Sequence, residues 1–428
     1  MSEWKEAEFG FIPYDWQAIR FKEILKIPLR NGVNKPSRIR GNGDYKMVNM
    51  NEIFAHDVIV DIPMEFVDLS RKEKETSLLE KHDLLFARQS LVFEGAGKCS
   101  IYLGDNEKVC FEGHLIRARL NKQKANPEFY YYFFSSSYGK RFLRTIVEQA
   151  VVAGIRGSDL NELEIPYAPK TQQDGAVKLL SCLDRKIENL RRQNETLEKI
   201  AQTLFKHWFV DFEFPNAEGQ PYKSSGGEMV PSELGDIPAG WCVEPLDQVA
   251  DFLNGLALQK YPPIDNQESL PVIKIREMKS GVTASTDRAS LDIPSQYIID
   301  NGDVLFSWSG SLEIVVWCFG KGALNQHLFK VSSKKYPKWF YYLWTLEHLT
   351  HFRAIAKSKA TTMGHIQRKH LSEAFCLVPP ESQLSTINAT IQPIFQKNIS
   401  NSLQIQALTQ TRDTLLPKLM SGQLRINE

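Results

Sequence analysis

Apolar positions between residues 172 and 208 recur at alternating steps of four and three: Ala176, Leu180, Leu183, Ile187, Leu190, then Asn194, then Leu197, Ala201 and Leu204. That spacing keeps one face of an α-helix continuous and forms the seam of a coiled coil. The cadence returns after Pro380, through Leu384, Ile387, Ile391, Ile394, Asn398, Asn401, Ile405, Leu408, Arg412, Leu415 and Leu419. A helix of nearly forty residues would reach roughly 55 Å, more than one small domain needs to cover its own core. Two matching seams predict that the helices pair with each other. Leu183, Ile187, Leu204 and Trp208 would carry the contact on the first, and Ile391, Leu408 and Leu415 on the second. A polar seam residue costs stability but fixes register, so Asn194 is expected to face Asn398 or Asn401.

Ahead of each helical segment the chain repeats itself. Gly10-Phe11-Ile12-Pro13-Tyr14-Asp15-Trp16 is echoed by Gly235-Asp236-Ile237-Pro238-Ala239-Gly240-Trp241, and Asn31-Gly32 by Asn254-Gly255. Lys81-His82-Asp83-Leu84-Leu85-Phe86 matches Asn301-Gly302-Asp303-Val304-Leu305-Phe306, and His114-Leu115-Ile116-Arg117 matches His327-Leu328-Phe329-Lys330. Asn126-Pro127 then answers to Tyr336-Pro337, and Gly154 to Gly364, in unbroken order. Six ordered matches make a duplication with divergence: two domains of one fold, able to bind different things. The linker-like Asn216 to Gly227 separates the halves. The expected organisation is 1–168 and 215–380 as globular domains, with helical segments 169–214 and 381–428.

Composition narrows the class. At 428 residues, 42% hydrophobic and 24% charged, the chain holds two or more ordered cores. Its formal net charge of +1 gives no overall basic footprint, so any polyanion must be met by local patches. The six cysteines are dispersed without a Cys-x-x-Cys pair, and no leader precedes Trp4, which suits a reducing cytoplasm. The most apolar stretch, Ile314 to Phe319, is too short to cross a bilayer.

Two strings then resemble a known family across essentially the whole chain: Ala201-Gln202-Thr203-Leu204-Phe205-Lys206-His207-Trp208-Phe209-Val210-Asp211-Phe212 and Thr411-Arg412-Asp413-Thr414-Leu415-Leu416-Pro417-Lys418-Leu419-Met420-Ser421-Gly422. Ala360-Thr361-Thr362-Met363-Gly364-His365-Ile366 adds to them. The chain resembles the specificity subunit of type I restriction-modification enzymes. The resemblance implies an α+β protein with two target-recognition domains, separated by two long antiparallel coiled-coil helices with pseudo-two-fold symmetry. Each domain would read one half of a bipartite, asymmetric site on double-stranded DNA, and the helix length suggests a gap of about one duplex turn or slightly more between the halves. Two modification subunits would bring S-adenosylmethionine for adenine methylation, and restriction subunits would bring ATP and magnesium. The chain itself would hold no cofactor, metal or catalytic group.

Bases are read by Arg or Lys on guanine and by Asn or Gln on adenine, while any cation or amide can hold a phosphate. In the first half the candidates are Arg30, Asn31, Lys35, Arg38 and Arg40 in a Gly/Asn/Pro-rich segment, Arg88 and Gln89 after an apparent strand, and Arg156 in the repeated Gly loop. In the second half the equivalent places offer Asn254, Gln259 and Lys260, then Ser307 and Ser309, then Lys357, Lys359, Thr361, Thr362, Gln367, Arg368 and Lys369.

Catalytic readings fail on residues. Phe93-Glu94-Gly95-Ala96-Gly97 fits the glycine pattern of an adenine methyltransferase, but strand-like sequence follows where a helix is needed, and Asn126-Pro127-Glu128-Phe129 lacks the second proline of the companion motif. A phosphate loop ending at Lys98-Cys99 would need glycine at Val92 and a hydroxyl at Cys99. Glu277-Met278-Lys279 downstream of Asp265 is an isolated tripeptide, and His348 with His351 has no third ligand nearby. A scaffold whose halves bind protein is the remaining alternative, and charge alone does not separate it from a DNA reader.

Overall fold

The computed structural model describes residues 4–7, 9–36, 40–105, 108–148, 152–264, 268–358 and 364–426. The chain divides into two units, one comprising Met1–Arg185 with Thr409–Glu428 and the other Lys186–Leu408.

The first unit is built on a five-stranded sheet in the order Leu25–Asn31, Leu115–Leu120, Leu84–Ala87, Cys99–Tyr102, Val58–Ile59, antiparallel except for the last pair. Successive side chains leave opposite faces of a strand. Leu84, Phe86, Ile116, Ala118 and Ile101 therefore join one core with Phe129 and Phe133, while Leu85, Ala87 and Leu115 join another with Val48, Val109 and Phe111. With both faces covered, Leu84–Ala87 is apolar at every position, so its sequence shows no alternation.

The second unit repeats this plan. Its sheet runs Asp251–Asn254, Leu328–Ser332, Val304–Ser307, Ile314–Val316, antiparallel throughout. Helix Lys338–Ser358 packs on it, and Trp339, Phe340 and Trp344 meet Phe205, Phe209 and Trp241 in one aromatic core. The registers coincide: Ile116 lies opposite Asn31 and Phe86 in the first unit, and Phe329 opposite Asn254 and Phe306 in the second.

The two long helices are Lys170–Phe209 and Glu381–Met420, 40 residues each. Each begins after a proline whose carbonyl accepts the first helical bond, Pro169 from Gln173 at 3.1 Å and Pro380 from Leu384 at 2.9 Å. The start of each is tied down by a matching tryptophan: Trp16 donates to Gln172 at 2.8 Å, and Trp241 donates to Gln383 at 2.7 Å. Gly422, at a φ of 75°, ends the second helix in the left-handed region that glycine enters without strain.

Parts of both helices pair within each unit, in opposite directions. In the first, Ala176 and Leu180 share a core with Leu419 and Met420, and Asp184 accepts from Tyr132 at 2.6 Å and from Arg412 at 3.0 Å. In the second, Asn194 donates to the Asn398 carbonyl at 3.2 Å and to Ser402 Oγ at 2.9 Å, while Asn401 donates to Gln193 at 3.3 Å.

The contact face departs from a uniform seam. Ile187, Trp208 and Ile391 are buried, but Leu183, Leu204, Leu408 and Leu415 are only half-buried. Phe395 and Ile399 are buried, whereas Ile394 and Asn398 are half-buried. The cause is local: here the second helix also covers its own unit, with Phe395 against Tyr342 and Asn388 accepting from Trp339 Nε1 at 2.7 Å. A helix serving two neighbours needs a wider stripe than a two-strand seam.

Candidate nucleic-acid interface

Each unit brings three segments to one end of its sheet. In the first, Arg88 and Gln89 follow the central strand. The Arg88 amide donates to the His114 carbonyl at 2.8 Å, and the Ile155 amide donates to the Arg88 carbonyl at 2.9 Å. Ala153–Gly154 pairs with Gln89–Ser90, and Gln89 Oε1 lies 3.1 Å from His114 Nδ1. In the second unit the Trp308 amide donates to the His327 carbonyl at 3.4 Å, and the Ile366 amide donates to the Trp308 carbonyl at 3.0 Å. Ser309 Oγ lies 3.0 Å from His327 Nδ1.

These bonds make Arg88 equivalent to Trp308, Gln89 to Ser309 and His114 to His327. They also correct the repeat by one residue. His365, which bridges Ser309, occupies the place of Gly154, so the two Gly-containing loops do not align glycine on glycine. Arg156 and Gln367 then fall together, each at the N-cap of a short helix, Gly157–Glu162 and Arg368–Ser372.

Asn31 and Asn254 stand exposed beside these turns. The glycine after each is forced by close approach, since a Cβ on Gly32 would lie 1.9 Å from the Phe111 carbonyl oxygen and one on Gly255 would lie 2.2 Å from that of Asn325. Asn254 Oδ1 accepts from Trp308 Nε1 at 3.0 Å, so amide and indole are fixed as one surface.

The remaining candidates divide. Arg30 and Arg88 engage no carboxylate among the described residues, and Arg156 pairs at 2.6 Å with Glu148, both well exposed. Gln259, Lys260, Lys357, Gln367 and Lys369 are exposed. Arg368 donates to the Phe252 carbonyl at 3.1 Å and lies over the Phe329 ring, which braces the second patch from beneath. Arg38, Lys359, Thr361 and Thr362 lie outside the described residues.

Three expectations are corrected. Ser307 is fully buried: its hydroxyl donates to the Ser311 carbonyl at 2.7 Å and accepts from the Glu313 amide at 2.8 Å, so it shapes a turn and cannot meet a duplex. Lys35 is held at 2.9 Å by Glu73, and Arg40 donates to the Lys35 carbonyl at 2.8 Å while facing Glu65 and Glu112. Their charges are neutralised inside the unit. Glu73 sits below the ordinary carboxyl range; burial raises its pKa, but the Ser70 amide and the Lys35 ammonium outweigh burial.

Sequence reasoning passed over Trp308, His327 and His365 as candidates because it looked for cations and amides. The signal was the register of Leu84-Leu85-Phe86-Ala87-Arg88 against Val304-Leu305-Phe306-Ser307-Trp308, which sets an indole where the first half has a guanidinium. The first patch thus offers guanidinium and amide donors suited to base edges, and the second an aromatic surface with amide and imidazole groups. His348, one of the pair weighed as metal ligands, has a ring nitrogen 2.9 Å from the Phe375 carbonyl, and burial pushes its pKa down. Among the described residues no group of three or more His, Cys, Asp or Glu is placed to hold a metal ion, and no helix is long and apolar enough to cross a membrane.

Comparison with known proteins gives one direction. The model of the type I restriction modification DNA specificity domain matches residues 13–199 and 238–410. The chain is 26% identical to the specificity subunit of the type I restriction enzyme MjaIX of Methanocaldococcus jannaschii, over 100% of this chain and 98% of that one. It is 22% identical to the HindI specificity subunit of Haemophilus influenzae, over 99% and 100%. The crystal structure of the S subunit of a type I restriction-modification system from M. genitalium superimposes with a TM-score of 0.57 at 16% identity, covering 94% of this chain and 96% of that one, a likeness of fold.

Proposed function

The chain belongs to the type I restriction-modification DNA specificity domain family, and from that premise we propose that its two patches read the two halves of one bipartite, asymmetric DNA site. It is the specificity subunit of a type I restriction-modification complex and supplies the address while partner subunits supply the chemistry. Residues 1–168 and 215–380 serve as the recognition domains. Segments 169–214 and 381–428 set the gap between half-sites and dock two modification subunits, which bring S-adenosylmethionine; restriction subunits with ATP and magnesium complete the assembly.

One observation carries this reading: equivalent backbone positions present different chemistry, Arg88, Gln89 and Arg156 in one unit against Trp308, Ser309 and Gln367 in the other. A duplicated frame with divergent contacts is what two unlike half-sites require. Selection from a randomised duplex library, by the chain assembled with its modification subunits, should enrich two different short motifs at fixed separation. A library that emerges unenriched, as a protein-binding scaffold would leave it, overturns the proposal.

A further inference from the structure

Arg117 sits in the strand Leu115–Leu120 with only 4% of its surface exposed. Its Nε has no hydrogen-bond partner, and Nη1 reaches the Thr76 carbonyl only at 3.4 Å. A buried cation without an anion is costly, so such a group is normally paired. The duplicate unit does pair it: at the equivalent position, Lys330 meets Asp303 at 2.8 Å. In the first unit the equivalent aspartate, Asp83, is taken by Arg119 through two bonds of 2.7 Å, and Arg119 falls where the second unit has Ser332. The extra arginine thereby takes the direct bonds of Asp83 and Glu80, and Arg117 is left beside these carboxylates without a bond to either, its guanidinium 5.8 Å from the Phe111 ring centroid.

An open cleft of about 690 Å³ adjoins it, lined by Arg30, Lys72, Glu73, Thr76, Ser158 and Asn161 among others. Thr76, whose carbonyl faces Arg117, forms part of its wall, and Arg30 is the cross-strand neighbour of Arg117 and shares its side of the sheet. Glu73, the carboxylate there, is already matched by Lys35 at 2.9 Å. Asn161 Oδ1 is a second buried polar atom without a partner, and turning that amide over would present its donor to the cleft. Burial, and after it the nearby Arg119, lower the pKa of Arg117 against the opposing pull of Asp83 and Glu80. Asn31 lines the same cleft and joins it to the reading edge.

We propose that this cleft, in the first unit only, seats one backbone phosphate of the duplex and thereby fixes the register of the first reading patch. The inference rests on the reading of the chain as a DNA-specificity subunit. It assigns Arg30 to the phosphate and leaves Arg88 and Gln89 to the bases.

The test measures the affinity of the chain, assembled with its modification subunits, for cognate and scrambled duplexes across a salt series. Arg30→Ala/Lys72→Ala should lower the slope of log affinity against log salt by about 0.9, the value for one phosphate, and leave the cognate-to-scrambled ratio unchanged. Arg117→Met should lose the same slope and unfold no earlier than the unaltered chain. An unchanged slope in both variants, a relaxed sequence preference, or calorimetric binding of inorganic phosphate with the DNA slope intact would overturn the assignment. Earlier unfolding of Arg117→Met with its slope retained would do so too, as it would make the residue purely structural. Loss of sequence preference in the unaltered complex would instead sink the reading of the chain as a specificity subunit.

Discussion

Asn194 and Asn398 hold each other reciprocally: the side chain of each donates to the backbone carbonyl of the other, at 3.2 and 3.3 Å. Asn194 Oδ1 is left buried and unpaired, so the exchange sacrifices stability while admitting one register. Asn194→Leu should therefore raise stability by about 1 kcal/mol, since it removes an unsatisfied buried acceptor from the seam. The gap between half-sites in the methylated motif should become heterogeneous. Urea unfolding together with motif mapping checks both; lowered stability with an unchanged gap would speak against a register role.

Asp184 joins three elements of the first unit, accepting from Tyr132 and from Arg412. The Arg412 and Asp184 side chains are 28% and 33% exposed, so solvent weakens the pair. Asp184→Asn is expected to cost about 1 kcal/mol in urea unfolding. A double-mutant cycle with Arg412→Ala should show most of that cost as coupling, whereas additive losses would mean that the two act separately.

Glu73 gives the first unit an acid-sensitive contact. Its folded pKa lies below the usual 4.5, so it stabilises the fold above that pH and loses the contribution as pH falls through the lower folded value. Glu73→Gln should cost about 1 kcal/mol at neutral pH and flatten the acid limb of the stability curve. Parallel acid limbs for the two proteins would mean that Glu73 is not responsible.

Arg88 and Trp308 hold the same backbone position in different units, so their losses should separate. Arg88→Ala is expected to weaken cognate binding by about 1 to 3 kcal/mol and relax preference in one half-site only. Trp308→Ala should relax the other half-site. Competition with duplexes altered in one half at a time reads the two apart, and an equal effect of either variant on both halves would contradict the division of labour.

Ser307 provides the converse test. Because its hydroxyl closes the turn to Glu313, Ser307→Ala should cost about 1 to 2 kcal/mol of stability and leave sequence preference untouched. A change in the recognised motif without loss of stability would restore Ser307 as a DNA contact.

The duplication, the two long helices and the Asn194 contact were legible in the sequence because each rests on periodicity or on residues with one structural use. Asn-Gly at 31–32 and 254–255 is one such marker, where backbone approach excludes any side chain at the glycine. Phe395 and Ile399 were not legible as buried, because the second helix covers its own unit as well as its partner, and a heptad reading assumes one neighbour. Ser307, Lys35 and Arg40 carried the residue types of a binding loop, but only tertiary structure shows a hydroxyl closing a turn or a carboxylate 38 positions away matching a lysine. The shift of Gly154 onto His365 escaped for a related reason: strand bonds fix that loop, and glycine identity misleads.

The central claim is that two diverged copies of one reader address two unlike half-sites from a single chain. Methylome sequencing of cells that express it with its modification subunit tests this most directly. The account predicts adenine methylation at one motif with two different specified halves and a constant unspecified gap. A single continuous motif, two identical halves in inverted order, or no methylation would contradict it.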